Sequence, residues 1–264
     1  MVVVQTVIDA HRHERLIGNA AVVACALIFV LCCYLIGFDP AAIVAGAGKL
    51  AGFVSAAFPP STGGMFLDTA QALAETVAMA FAGSILASFI AIPIGFVAAS
   101  NVVSAKALHF VIRRALDFVR GIDVLVWALV FVSAVGLGPF AGILAISVVD
   151  AAVLSKVFAE AIEAIDSHQV EGVTASGADR LTVLRFSFVP QVAPIFLSNI
   201  LYTFESNVRS ATVLGIVGAG GIGYQLAERM KLLQWNEVAM MILMTFVVVV
   251  CVDFISGKIR GRLS

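Results

Sequence analysis

The sequence carries few charges for its length. Only 12% of its 264 residues are charged, whereas 61% are hydrophobic, and the mean hydropathy is +1.05. A soluble domain carries about 25% charged residues, so this chain has too few polar groups to cover a surface that faces water. The surplus apolar surface needs lipid as its solvent. The formal net charge of -1 provides no basic field for binding nucleic acid.

The chain also lacks the residue groupings that carry enzymatic chemistry. Its four cysteines lie inside apolar runs and form no C-x-x-C pair, which predicts small hydrophobic side chains in membrane helices rather than disulfides or metal ligands. The four histidines are scattered without metal-ligand spacing. No G-x-x-x-x-G-K-S/T segment is present, so the chain has no P-loop for ATP. We therefore expect a protein that is not an enzyme and that needs no metal and no cofactor.

Six segments are long and apolar enough to cross a bilayer, which takes about 20 residues. They cover approximately residues 17–36, 72–99, 122–137, 140–162, 188–208 and 238–257. The third is short and ends in Gly136-Leu137-Gly138-Pro139, a cluster that breaks a helix and turns the chain into the fourth. The sequence thus predicts an all-α integral membrane protein with about six transmembrane helices.

Lysine and arginine are distributed unevenly between the two sides of this topology. With the N-terminus inside, twelve basic residues lie in cytoplasmic segments and four lie outside, namely Lys49, Arg209, Arg229 and Lys231. The positive-inside rule then places both termini in the cytoplasm. A seventh span at residues 40–58 would invert this pattern and bring Lys49 to mid-bilayer, so we expect an external interfacial helix there.

The longest cytoplasmic connection covers residues 165–187. It lies in a predicted permease core of residues 70–264, which follows an N-terminal transmembrane helix and periplasmic segment over residues 1–69. The connection predicts two short helices broken at Gly177, the first of them capped by Asp166 or Ser167.

The order of Glu171, Gly172 and Gly177, with Pro190 thirteen positions beyond, resembles the "EAA" loop of ABC import permeases. This sequence has glycine and valine at the second and third motif positions, where that family typically has alanines. In the family, the loop forms a coupling helix that sits in a groove of the ATPase subunit. The resemblance implies an ABC type I importer permease fold with a cytoplasmic coupling helix. The expected ATPase-coupling residues are Glu171, Gly172, Gly177, Arg180 and Arg185.

Over residues 58–264 the chain resembles the phosphonate and phosphite uptake permeases. The segments that carry this resemblance are Phe58–Pro60, Glu75–Ala80, Gly136–Pro139, Phe158–Asp166 and, most specifically, Tyr202–Gly223. The resemblance implies import of phosphonate, or of phosphite or hypophosphite, through the cell membrane. The expected partners are an ABC ATPase dimer, a periplasmic or lipid-anchored substrate-binding protein, a second copy of the chain and membrane lipid. A permease for another small solute and a stand-alone secondary transporter remain alternatives.

Four polar residues lie at the end of the fifth predicted span: Tyr202, Glu205, Asn207 and Arg209. Glu205 and Arg209 have the i,i+4 spacing of a helical salt bridge. Ionisable residues in a membrane are costly and so mark functional sites by default. Two interpretations remain open. These residues line the translocation path and favour an anion, or they form a structural ion pair that holds the last two helices.

Gly218, Gly220, Gly221 and Gly223 satisfy the pattern G-x-G-x-x-G. A dinucleotide site needs this pattern within a βαβ unit of about 30 residues, whereas here Gln234-Trp235-Asn236 leads directly into an apolar span. We expect instead irregular, closely packed backbone near the outer mouth of the path. There these glycines serve as gate or packing positions.

Overall fold

A computed structural model describes the backbone of residues 2–103 and 105–262. It describes the side chains of residues 18–39, 41, 46, 48–50, 52–103 and 105–262. Within these ranges the regular structure is entirely helical, as the sequence predicts. The chain divides into two compact units, Met1–Ser55 and Ala56–Ser264.

The first unit contains α1 (Val2–Ile36) and most of α2 (Pro40–Ala57). The part of α1 from Gly18 to Ile36 is long and apolar enough to cross a membrane, which agrees with the first predicted span. The interfacial position of residues 40–58 stays a prediction. Arg12 and Arg15, which were counted on the cytoplasmic side, lie outside the residues whose side chains are described.

The second unit contains the remaining helices. They are α3 (Phe66–Ala98), α4 (Lys106–Arg120), α5 (Val124–Val135), α6 (Pro139–Glu163), α7 (Ser167–Ala175), α8 (Arg180–Val183), α9 (Val189–Leu214), α10 (Gly221–Lys231) and α11 (Trp235–Arg260). Among the described residues, five helical segments are long and apolar enough to span a membrane, or six if α4 and α5 together form one broken span. The prediction of about six is thus confirmed as five or six.

The third predicted span, residues 122–137, is wrong as a single helix. α5 has only 12 residues, and at 1.5 Å per residue it covers about 18 Å of a hydrocarbon core about 30 Å thick. α4 precedes it at a bend of 84°. Asp123 caps the start of α5, because its carboxylate accepts a hydrogen bond from the backbone N–H of Leu125 at 2.8 Å. Hydropathy missed α4, whose basic residues alternate with apolar ones.

The fifth span is longer than predicted. A π-helical turn at Leu184–Phe188 joins α8 to α9, and a 3₁₀ turn at Gly215–Val217 extends α9, so the helical stretch is continuous from Arg180 to Val217. The second helix of the cytoplasmic loop is therefore the start of this stretch. Arg209 lies inside α9, so its prediction as part of an external loop is wrong.

α3 and α6 run parallel and pack closely, because small residues face the partner helix. Gly83 lies against Ile146, and Gly95 lies against Phe158 about 18 Å further along both helices. Such spacing of small residues lets membrane helices approach each other. α9 crosses this pair, and the ring of its Phe196 stacks on Phe158 with a centroid distance of 3.8 Å.

Polar contacts fasten α4 to the C-terminal end of α6. Glu163 accepts hydrogen bonds from the backbone N–H of Ser100 at 2.7 Å and from the Arg113 guanidinium at 2.8 Å. One turn beyond Arg113 on α4, the Asp117 carboxylate lies 2.9 Å from the ammonium of Lys156 on α6. These contacts hold the amphipathic α4 beside the bundle, so α5 starts from a fixed position.

We predict that Gly95→Ala destabilises the bundle. The added Cβ would lie 2.8 Å from the Cβ of Phe158, a carbon that cannot move without its helix. Overpacking of this kind costs about 1–3 kcal/mol, and a lower midpoint of thermal unfolding in detergent would report it.

Gly257→Ala in α11 is the matched control, because no atom lies within 4 Å of the added carbon. Its midpoint should stay level or rise slightly, since alanine favours helix. Equal midpoints for the two variants would contradict the close packing of α3 on α6.

Candidate functional site

The loop between α6 and α9 has the predicted break at Gly177. Asp166 caps α7 by accepting a hydrogen bond from the backbone N–H of His168 at 2.9 Å. Gly177 has φ +80°, a conformation that side chains rarely adopt, and it redirects the chain into α8. Asp179 caps α8 through the backbone N–H of Thr182 at 3.2 Å, and its hydrogen bonds with Thr182 lower the pKa of the Asp179 carboxyl.

The outer face of α7 is open, whereas its base is attached to the bundle. Glu171 and Gly172 are exposed, and nothing lies within 4 Å of a Cβ added at Gly172. At the base, the backbone N–H of Asp166 donates to the side-chain oxygen of Gln191 in α9 at 3.0 Å, and Val170 packs against the core. A partner that moved α7 would therefore move α9 with it.

The two basic residues of the predicted coupling set lie beyond Gly177. Arg180, the first residue of α8, and Arg185, in the π-helical turn, are both exposed. The predicted coupling residues are thus all exposed, along the loop and at the start of the helical stretch from Arg180 to Val217.

The four polar residues predicted as a cluster on α9 divide between two faces. Glu205 and Arg209 are one turn apart and share a face with Tyr202, whereas Asn207 is rotated by about 200° from each of the two charged residues. Tyr202, Glu205 and Arg209 face α11, and Asn207 faces α3 and α6. The structure therefore does not bring all four predicted path residues together.

The first face carries a network of ion pairs between α9 and α11. The guanidinium of Arg260 lies 2.7 Å from the Glu205 carboxylate and packs over the ring of Tyr202. Arg209 lies 3.7 Å from Glu205 and 3.3 Å from Asp253. Sequence reasoning did not single out Asp253 or Arg260, although a carboxylate inside an apolar span was a usable signal.

The second face carries a buried polar contact among three helices. The Asn207 amide donates to the Ser84 hydroxyl at 2.8 Å and to the carboxylate of Asp150, and Ser84 donates to the backbone oxygen of Ala80. Ser84 lies near the middle of α3, more than about 20 Å from either end of that helix. Arg209 follows Asn207 by about 3 Å along α9, so its guanidinium starts from a similar depth, whereas Arg260 is the last residue of α11.

The glycine-rich segment forms the break between α9 and α10. Gly218, Gly220 and Gly221 have positive φ values. The backbone N–H of Gly221 donates to the Glu75 carboxylate at 3.2 Å, and that of Ile222 donates to the Thr76 hydroxyl at 2.9 Å.

Close packing surrounds this break. A Cβ at Gly221 would strike the side chain of Thr76, and Gly223 lies against Gly215. The predicted irregular, closely packed backbone is present. The described chain continues from α10 into α11 and not into a strand, so the segment is not part of a βαβ unit.

The site offers one accessible cationic group near the middle of the bundle, the half-exposed guanidinium of Arg209. A guanidinium pairs well with phosphorus oxyanions and carboxylates. Among the residues that the structure describes, no three His, Cys, Asp or Glu side chains are close enough to hold a metal ion.

Comparison with known proteins gives a family match and near full-length relatives. Residues 91–264 match the family described as binding-protein-dependent transport system inner membrane component. The phosphite transport system permease protein PtxC of Stutzerimonas stutzeri is 35% identical over 93% of this chain and 89% of its own length. HtxC of the same organism, provisionally named a phosphite transport permease, is 37% identical over 96% of this chain and 88% of its own length.

The fold is also found among solved structures. A chain of the MetNI methionine ABC transporter, in an inward-facing conformation, matches with a TM-score of 0.66 and 23% identity, over 77% of this chain and 99% of that chain. At this identity the likeness concerns the fold, and it confirms the predicted type I permease architecture.

We predict that Thr76→Val destabilises the glycine-rich break, because the buried N–H of Ile222 loses its acceptor. A buried donor without a partner costs about 1–3 kcal/mol. Thr69→Val on the same helix is the matched control, since its equally buried hydroxyl bonds only to the backbone oxygen of Met65. Thermal unfolding of the two purified variants measures the difference. A midpoint for Thr76→Val no lower than that of Thr69→Val would refute the role of Thr76.

Proposed function

The chain belongs to the binding-protein-dependent transport system inner membrane components, a family of ABC importer permeases, and we propose that it carries a phosphorus oxyanion such as phosphite or a phosphonate. It is a multi-pass membrane protein and a transport subunit rather than an enzyme. Membership of the family implies an ATPase and a substrate-binding protein as partners.

One observation supports this substrate class above the others. The relatives named for phosphite transport match nearly the whole chain, including the block from Tyr202 to Gly223. That block places Arg209 near the middle of the bundle. Phosphite, phosphonate and hypophosphite are all small oxyanions that a guanidinium can pair with, so the chemistry of the block suits the class.

A second copy of the chain completes the path in this proposal. Arg209 and Asp253 are 46% and 39% exposed, and an ionised side chain exposed to lipid at the centre of a helix costs about 2.5–3.5 kcal/mol. Water in a path, walled on its other side by a second copy, removes this cost. We assign Tyr202, Glu205 and Arg209 to the path surface. Asn207 holds α9 against α3 and α6.

In this proposal the loop at residues 165–187 couples conformational changes of the ATPase to the permease. α7 enters a groove of the ATPase through Glu171 and Gly172, Gly177 keeps the turn, and Arg180 and Arg185 contact the rim. Both termini and this loop lie in the cytoplasm, as the basic residues predict. Residues 70–264 form the permease core, and residues 1–69 add a transmembrane helix and a periplasmic segment.

Reconstitution tests the transport function. The permease, its ATPase and its binding protein should together accumulate phosphite or methylphosphonate in proteoliposomes only when ATP is supplied. Accumulation of D-methionine in place of both anions would indicate a permease for another solute. Transport by the permease alone on an ion gradient would instead indicate a secondary transporter.

We predict that Glu171→Lys abolishes ATP-driven phosphite uptake, by at least about tenfold, because a reversed charge opposes entry of α7 into the ATPase groove. The variant should still insert in the membrane at the normal level, since Glu171 is exposed.

Arg262→Glu is the control, because it reverses a charge at the C-terminal end, outside the loop. Its uptake should match that of the unaltered protein. Normal uptake and normal co-purification of the ATPase with Glu171→Lys would remove the coupling assignment.

A further inference from the structure

The ion pairs between α9 and α11 differ in how firmly they are made. Arg260 and Glu205 lie 2.7 Å apart, the distance of a strong charge-assisted hydrogen bond, and the Glu205 side chain is only 13% exposed. Arg209 lies 3.3 Å and 3.4 Å from the two oxygens of Asp253. Glu205 is therefore committed to Arg260, whereas the accessible pair of Arg209 and Asp253 is loose.

Arg209 also borders a cavity of about 320 Å³. Its wall is almost wholly apolar and includes Leu226, Phe246 and Val249, with Thr212 and Thr245 beside them. Each hydroxyl now donates to a backbone oxygen of its own helix, at 3.2 Å for Thr212 and 2.8 Å for Thr245. Both hydroxyls are thus bonded within their own helices, so the cavity presents an apolar wall with one cation, Arg209, at its border.

We infer that an anion in the path binds the guanidinium of Arg209, beside this cavity, and that Asp253 is the resident counter-ion of that guanidinium. The inference rests on the proposed function. When the path is empty, the carboxylate of Asp253 occupies the guanidinium of Arg209. A tetrahedral phosphorus oxyanion entering the path replaces that carboxylate on Arg209. The apolar wall faces the hydrogen or alkyl group on phosphorus.

The exchange has a physical purpose. A transport site must bind its substrate well enough to admit it and weakly enough to release it. An arginine without a carboxylate beside it would hold an anion tightly and release it slowly. Asp253 neutralises the empty site and, once displaced, repels the bound anion, so it lowers the affinity and favours release.

Four complexes test the inference, each made of the full-length permease with its ATPase and without binding protein. Calorimetric titration with inorganic phosphite measures the affinity of each. Asp253→Asn should bind phosphite about tenfold more tightly than the unaltered complex, because the competing carboxylate is gone. Arg209→Gln should show no binding, and the double variant Arg209→Gln with Asp253→Asn should show none either.

The double variant separates a binding site from a structural ion pair. If the pair only joined α9 to α11, removing both charges would leave no unpaired charge and would restore phosphite binding and uptake. That outcome, or an affinity for Asp253→Asn no higher than normal, would overturn the inference. The single variant Asp253→Asn carries the test even if the double variant fails to fold.

A second ion pair provides the matched control. Lys156→Gln with Asp117→Asn removes a pair between α6 and α4 that lies outside the cavity, so phosphite affinity should not change. Loss of affinity there would mean that any lost ion pair disturbs binding, which would overturn the assignment to Arg209. If the unaltered transporter with its binding protein takes up neither phosphite nor methylphosphonate, the proposed function itself fails. If uptake occurs but the Asp253 and Arg209 variants do not change phosphite affinity as expected, only the displacement of Asp253 from Arg209 is rejected, and the proposed function stands.

Discussion

The fold depends on one constraint, that a backbone N–H or C=O within hydrocarbon must find its partner inside the protein. An α-helix pairs these groups internally, so the groups that need another partner lie where a helix breaks. Between α9 and α10, the Glu75 carboxylate and the Thr76 hydroxyl accept the bonds that the helix no longer supplies. At the bend before α5, Asp123 does the same for Leu125. At both of these breaks a side chain supplies the partner that the helix lacks.

The same constraint organises the ionised side chains. Glu205, Arg209, Asp253 and Arg260 are gathered on one face between α9 and α11, and Asp150 meets an amide where three helices join. Charges collected in this way neutralise each other, which lowers the cost of holding them within spanning helices. The face between α9 and α11 thereby becomes suited to water.

Hydropathy predicts most of the fold because membrane thickness fixes the length of a span. It fails at α4 and α5, where a charged amphipathic helix replaces half of a span, and at Arg209, where a long helix continues past the expected end. The break at Gly177 is predictable because the turn needs a positive φ. The partners of Asn207 are not, because Ser84 and Asp150 lie 123 and 57 residues away in sequence. No periodicity within a single sequence encodes such a distance.

The uninterrupted helical stretch from Arg180 to Val217 has a mechanical consequence. Arg180 and Arg209 are separated by about 44 Å along the helix axis. A tilt of about 5° around the cytoplasmic end would sweep Arg209 sideways by about 4 Å over that lever arm. The swing is comparable to the 3.3 Å gap between Arg209 and Asp253. A modest rotation at the surface of the bundle therefore suffices to change which charge meets which at its centre.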